Sequence, residues 1–254
     1  MLTALTRAVS RSLAACELTF HTREKIDIDL AIAQHDRYEE SLRHLGIRVI
    51  ALSEEPDLPD AVFVEDPVLV LDETAIMTRM GAASRRAEAT TLERVISEYR
   101  PIRRITQPAT LEGGDVMRIG RDVFVGLSTR TNAAGIDQLT RELAPFGYRI
   151  RTVEVRGCLH LKSACCSMGD GRILANREWL DAAALVGYEI IDVPAAEPAA
   201  ANILRIGDAV LMPQCFPRTA ELISGHGLAV NPIDISELMK AEAAVTCSSV
   251  IFDA

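Results

Sequence analysis

Short apolar strand segments return in pairs along this chain, and nearly every pair is followed by a stretch whose apolar residues recur at helical spacing. The first pair is Arg48 to Leu52 with Val68 to Thr78, followed by a helical stretch near Ser84 to Tyr99. The second joins Arg103 to Thr106 with Asp122 to Leu127, followed by Asn132 to Phe146. The third joins Arg149 to Val155 with Arg172 to Ala175 and runs on through Glu178 to Val186, where Gly187 can end a helix. The fourth joins Tyr188 to Val193 with Ala209 to Met212, then Arg218 to Ser224. The fifth opens at Leu228 to Ile233 and returns at Ser249 to Phe252, its missing helix supplied by Ile28 to Leu45. What repeats is architecture rather than residues, at intervals of roughly 40 to 55 residues, the range of propellers and other arrays. The pattern predicts an α/β chain of five units around a pseudo-fivefold axis.

Each unit has a bend between its strands, and the chemically capable residues sit in those bends: Asp60, Glu65 and Asp66, then Glu112, His160, Asn202 and Cys247. Closure around one axis would bring equivalent bends to a common centre. Cys247 precedes the last apolar run, where a lone thiol is ordinarily a small buried hydrophobe. A nucleophilic thiol needs a proton shuttle, and His160 occupies the matching bend. The other histidines, His21, His35, His44 and His226, fall in loops or on helix faces and read as solvated or capping. Glu112 is followed by Gly113 and Gly114, which permit close backbone approach or positive φ, so a turn can present its carboxylate. Asp115 reads as a cap.

The segment Pro59 to Pro67 sets three acids around an apolar strand. A guanidinium is planar and offers N–H donors that carboxylates match two at a time, so acids beside a thiol suit arginine chemistry. Arg85 and Arg130 each open a stretch leading into a helix, on the rim of the expected pocket, where an amino acid's carboxylate would need a cationic clamp.

With 254 residues, one core is enough, and a single catalytic domain over 1–254 is expected. A net charge of −9 and no basic run argue against nucleic acid or an anionic lipid surface as partner; the surplus acid reads first as a solubility device, and it would also steer a small cationic substrate. Six cysteines without a CxxC pair argue against a zinc cage or a disulfide framework. No apolar run reaches the roughly 18 residues of a membrane span. A cytoplasmic setting is expected, and a homodimer is an assembly left open.

The strings Phe63 to Asp66, Gly81 to Arg86, Leu111 to Asp115, Gly126 to Asn132, Leu159 to Ser163 and Thr246 to Val250 occur in order over nearly the whole chain. Together they resemble the dimethylarginine dimethylaminohydrolase family of the amidinotransferase superfamily. The resemblance implies the pentein fold, a five-bladed α/β propeller with a central active-site pocket. It implies Cys247 as nucleophile, His160 as general acid and base, and Glu112 as the carboxylate serving both His160 and the guanidinium. It further implies a guanidinium contact from Asp66, polar contacts from Asp60 and Glu65, a carboxylate clamp from Arg85 and Arg130, and backbone contacts from Leu18 and Ala241. Glu242-Ala243-Ala244 stands where the family has an Asp-Gly step, and Cys16 to His21, the lid region, is poorly matched.

The activity so implied is hydrolysis of Nω-methylated arginines to citrulline and methylamine or dimethylamine, through a covalent thiouronium and with no cofactor. Zinc would act only as an inhibitor on Cys247. The rivals are the same chemistry on another substrate, as in arginine deiminases, citrulline hydrolases and amidinotransferases, and a non-catalytic binding protein on the same scaffold.

Overall fold

Ten of the fifteen strands belong to parallel pairs, and a segment that carries a helix or a helical turn joins the two members of each pair. The computed structural model describes residues 1–254. In chain order, β1 (Leu2–Arg7) leads through α1 (Ile28–His44) to β2 (Arg48–Leu52). Next come β3 (Val68–Val70), β4 (Ala75–Met77), α2 (Ala89–Ile96) and β5 (Ile102–Arg104). The third set is β6 (Val116–Ile119), β7 (Asp122–Leu127), α3 (Ala133–Leu143) and β8 (Arg149–Glu154). The fourth starts with α4 (Leu161–Ala164) and has β9 (Cys165–Gly169), β10 (Arg172–Ala175), a 3-10 turn at Ala182–Leu185 and β11 (Glu189–Asp192). The last set is β12 (Leu204–Ile206), β13 (Ala209–Pro213), α5 (Pro217–Gly225) and β14 (Ala229–Ile233), after which come α6 (Ser236–Met239) and β15 (Val250–Asp253).

Each of five three-stranded sheets has an inner strand antiparallel to the middle one and an outer strand parallel to it, the outer one reached through the helical segment. The inner strand of the first blade is β15, which pairs antiparallel with β1 from Leu2↔Asp253 to Leu5↔Val250 and so closes the ring. This is the pentein propeller, with the expected five units. The strand partners differ from those read in the sequence. Arg48 to Leu52 and Val68 to Thr78 belong to adjacent blades, and the latter is a hairpin of two strands. A helix must be followed by a strand that returns beside the one before it, which makes β1–α1–β2 the unit. The third helical stretch is reduced to a single 3-10 turn.

Local chemistry explains the helices. Asp27 caps α1 by accepting the Leu30 N–H at 3.1 Å, and Asn132 caps α3 through the Gly135 N–H at 2.8 Å, contacts worth about 1 kcal/mol each. Between neighbouring blades lie five apolar clusters. One joins Leu5, Val250 and Phe252 of the first blade to Val68, Met77, Leu92 and Ile96 of the second, and another joins Phe124 and Val153 to Cys165 and Ile173. Because each blade's apolar surface is buried against the next, the ring's angular spacing is fixed by packing, and with it the convergence at the axis. No helix is long and apolar enough to cross a membrane.

Candidate active site

The stretch that enters each inner strand crosses the same end of the axis, and these five stretches are tied to one another by hydrogen bonds. Cys247 C=O accepts from Glu65 N–H at 3.2 Å, and Asp66 accepts from Gly113 N–H through its backbone (2.9 Å) and from Gly114 N–H through Oδ1 (3.0 Å). Asp115 Oδ1 accepts from the N–H of Leu161, the first residue of the short α4, at 2.9 Å, a tie across 46 residues rather than a cap within its own turn. Asn202 closes the belt, donating to Lys162 C=O and Thr246 Oγ1 at 3.0 Å and accepting from Thr246 N–H at 3.1 Å. The bends named in the sequence therefore do converge, although they lie between blades rather than within them.

Glu112 is fully buried, and His160 is 4 % exposed. His160 Nε2 lies 2.7 Å from Glu112 Oε2, and its Nδ1 is 4.0 Å from Asp66 Oδ1. Burial works against an imidazolium here, but Asp66, the Glu112 bond and Asp115 outweigh it and raise His160 to about 9. Burial likewise works against the Glu112 carboxylate, and its bond to His160 with the charges of His160, Arg85 and Arg130 brings it below the ordinary range. The pair is thus ionic at neutral pH. The two glycines serve close approach, since neither has positive φ. A Cβ on Gly113 would meet Glu65 O at 2.0 Å, and one on Gly114 would meet His160 Nδ1 at 2.5 Å.

Cys247 makes no hydrogen bond to His160; its sulfur accepts from Ala244 N–H at 3.4 Å. Desolvation, then the charges of Glu65 and Asp66, push the thiol well above its usual range, with Lys162 pulling weakly the other way. A neutral thiol therefore sits beside carboxylates and a protonated imidazole. A cation placed among them would stabilise the thiolate.

Asp60, Asp66, Arg85, Arg130, Ala241, His160 and Cys247 line one pocket, with Glu17, Phe63, Leu159, Glu242 and Ala243. Arg85 is held by Glu88 through Nε (3.0 Å) and Nη2 (2.9 Å) and by Asp66 through Nη1 (2.9 Å), which leaves one N–H on each terminal nitrogen. Arg130 reaches Glu112 Oε1 at 3.5 Å and Thr19 Oγ1 at 2.9 Å. Asp60 accepts from Glu17 N–H at 3.0 Å, and burial pushes its carboxyl up. Three expected residues sit apart from the pocket wall: Glu112, fully buried behind His160, Leu18 and Glu65. Leu18 packs against the apolar cluster of the first and fifth blades, and Glu65 turns toward the axis, where it takes Lys162 Nζ and the Thr246 hydroxyl (2.7 Å).

The altered stretch before Cys247 has a defined path. Ala243 N–H bonds Leu238 C=O and Glu242 N–H bonds Met239 C=O, the two bonds of a Schellman finish to α6, and Glu242 fills the left-handed position at φ 58°. Glycine is the usual occupant, and a side chain there costs about 1 kcal/mol or more. The Glu242 carboxylate accepts N–H groups of Thr19, Phe20 and His21, more than 220 residues earlier in the chain. Lys162 and Glu88 have no role assigned from the sequence, and Glu242 is marked there only as a departure from the family's Asp-Gly step. Lys162 is two residues from His160 and so was within reach, whereas the partners of Glu88 and Glu242 follow from tertiary packing alone. Of the histidines read as solvated or capping, His35 is instead buried on the inner face of α1, next to Glu39.

A ring of five blades with a thiol, an imidazole and carboxylates gathered where the chain enters the inner strands defines an enzyme of the pentein class. The sequence matches the family model "N,N dimethylarginine dimethylhydrolase, eukaryotic" over residues 15–210. It is 39 % identical over 249 residues to the N(G),N(G)-dimethylarginine dimethylaminohydrolase of Streptomyces coelicolor, covering 97 % of this chain and 95 % of that one. To the protein of the same name from Pseudomonas aeruginosa it is 35 % identical over 250 residues, covering 98 % of each. A crystal structure of the Pseudomonas enzyme, as a cysteine-to-serine mutant complexed with citrulline, superposes with a TM-score of 0.94 at 34 % identity over 99 % of this chain and 100 % of that one. The N-terminal domain of ArgZ, a cyanobacterial arginine dihydrolase, superposes at 0.89 with 17 % identity over 98 % of this chain and 97 % of that one, a likeness of fold. The chain belongs to the dimethylarginine dimethylaminohydrolase family.

Proposed function

We propose that this protein hydrolyses Nω-methylated arginines, asymmetric dimethylarginine and monomethylarginine, to citrulline and the corresponding amine, a hydrolysis of a C–N bond in a linear amidine. The observation that carries this reading is the meeting of the Cys247 thiol, Asp66 and His160 in one pocket, with His160 bonded at 2.7 Å to the fully buried Glu112. A substrate guanidinium resting against Asp66 and Glu112 supplies the positive charge the thiolate lacks, and the thiol proton leaves as the cation binds. The Arg85 and Arg130 N–H groups left unpaired take the substrate carboxylate, and Asp60, the Ala241 carbonyl and the Leu18 carbonyl take its polar head. Glu65 acts through its backbone bond to Cys247 and its tie to Thr246, holding the nucleophile's loop.

The thiolate adds to the guanidinium carbon. His160 gives its proton to the departing nitrogen, so that a neutral amine leaves rather than an amide anion. Water then adds to the thiouronium carbon, His160 takes one of its protons, and collapse releases citrulline and the thiolate. No cofactor takes part. Asp66, Glu112 and His160 hold ligand atoms within 4.8 Å of one another, and Cys247 lines the same pocket as Asp66 and His160, so zinc is expected to inhibit if it draws the sulfur into such a set. All six cysteines are free, which fits a reducing compartment such as the cytoplasm.

The test is a product assay across arginine, monomethylarginine, asymmetric dimethylarginine and citrulline, run beside Cys247→Ser. Dimethylamine release should exceed ammonia release from arginine, and the variant should be inactive. Faster turnover of arginine overturns the substrate, and unchanged turnover in Cys247→Ser would falsify the mechanism.

A further inference from the structure

We propose that Glu242 is a positioning residue for this reaction: its carboxylate latches the Thr19–His21 segment shut over the pocket and so sets how tightly and how long substrate is held. The proposal rests on the reading of this pocket as the substrate site.

Three observations lead to it. The pocket, walled by Glu17 and the 241–243 loop and capped where Thr19 bonds the lining residues Arg130 and Glu242, has only about 10 Å³ of free space, room for about one water and far below the few hundred Å³ that a ligand occupies. Segment 17–21 must therefore move before an arginine-sized molecule enters. Second, apolar burial does not hold the tip of that segment, because Phe20 is 44 % exposed and Thr19 and His21 are also exposed. Polar ties hold it instead: three consecutive N–H groups converge on the Glu242 carboxylate in the manner of an anion nest. Arg130 adds a bond to Thr19 Oγ1 at 2.9 Å. Third, Glu242 keeps a left-handed backbone that glycine fills more easily. The side chain thus has a use that the backbone position alone does not explain.

The latch acts through population. Substrate enters while the segment is open, the side chains around Cys247 part to admit it, and the latch re-forms over the bound molecule; a carboxylate that favours the shut segment lowers the cost of that last step. Removing the carboxylate leaves the segment open much of the time, which weakens binding and speeds release while leaving the atoms around Cys247 in place.

Glu242→Gly is the informative variant, because it removes the carboxylate and relieves the left-handed residue together. Hydrogen exchange on the ligand-free protein should show the Thr19, Phe20 and His21 amides exchanging about tenfold faster or more, with the melting temperature kept or raised. In the Cys247→Ser background, citrulline should dissociate roughly tenfold faster from Glu242→Gly. In the active enzyme KM should rise severalfold and kcat should fall far less. Glu242→Gln, which keeps an acceptor oxygen without the charge, should lie between. Exchange at 19–21 equal to wild type overturns the latch, and so does faster exchange with unaltered citrulline release. Because the exchange measurement needs no ligand, failure of citrulline to bind wild-type protein would count against the substrate reading and leave the latch to be judged by exchange.

Discussion

The ring of inner strands has two ends, and they are built from opposite materials. At one end Asp60, Asp66, Glu112, His160, Arg85 and Arg130 crowd around Cys247 with almost no free volume. Beyond the partly buried Glu65–Lys162 pair the axis opens into a cavity of about 510 Å³. It is lined mainly by apolar side chains of β3, β6, β9, β12 and β15, among them Val68, Val116 and Val250. The same five chain segments supply both ends. Each carries its polar residues in the stretch before the strand and its apolar ones within it. A buried polar group must be paired, whereas an apolar lining carries no such demand. The catalytic end is therefore specified residue by residue, and the axial end by volume and polarity only.

That contrast is sharpest in the chemistry. His160→Asn or Glu112→Gln should lower turnover by about 10²- to 10⁴-fold, the range for a lost acid–base group, and steady-state assays on folded protein would show it. Turnover by the wild type should fall as pH rises through about 9, because the proposed mechanism has a protonated His160 expel the amine. The raised value also makes His160 stabilising below its unfolded value of about 6.5 and less so as pH climbs through about 9. A rate that stays flat to pH 10 would remove His160 from the acid role.

Gly114→Ala tests packing at the catalytic end without deleting a functional group. The new methyl is forced against His160, and displacement of a reacting group can cost on the order of 10²-fold. Full activity in this variant would mean the end is less tightly specified than its contacts indicate.

The divider comes next. Lys162→Met leaves the partly buried Glu65 carboxylate without its cation, a loss of about 2–3 kcal/mol, since the axial cavity reaches both groups. A calorimetric melting temperature lower on the order of 10 °C is expected. A melting point within 2 °C or so of wild type would show the pair to be dispensable. The axial lining should matter least. Val68→Ala removes two methyl groups from a buried strand position, costing about 1–2 kcal/mol, with turnover within about threefold of wild type. A larger drop in turnover would mean the axial end takes part in catalysis.

The two ends were also unequally legible in the sequence. The helical stretches Ile28 to Leu45 and Asn132 to Phe146 carry a clear 3.6-residue period and stand close to where they were read. The inner strands β6, β9 and β12, three to five residues each, were missed. They are too short for an alternating pattern to register, and several of their residues are buried whichever way they point. Partner assignment failed for a different reason. A helix that brings its next strand back parallel leaves no mark in residue order, so Arg48 to Leu52 was matched to the strand that followed rather than to β1. The convergence of Cys247, His160 and Glu112 was nonetheless readable, since it depends only on equivalent positions in each repeat. The grip of Glu242 on Thr19 to His21 was not, because it joins distant segments through a conformation no local pattern announces.

The pairing of β15 with β1 has a kinetic side. It joins residues about 250 apart in the chain, among the most non-local contacts the molecule makes, and such contacts form late and slowly. Cys247 lies three residues before β15, so the stitch that closes the ring also brings the sulfur to His160. In the proposed mechanism thiol chemistry and closure of the ring are then coupled, because the loop that carries Cys247 is held beside the pocket of His160 only when β15 is paired with β1.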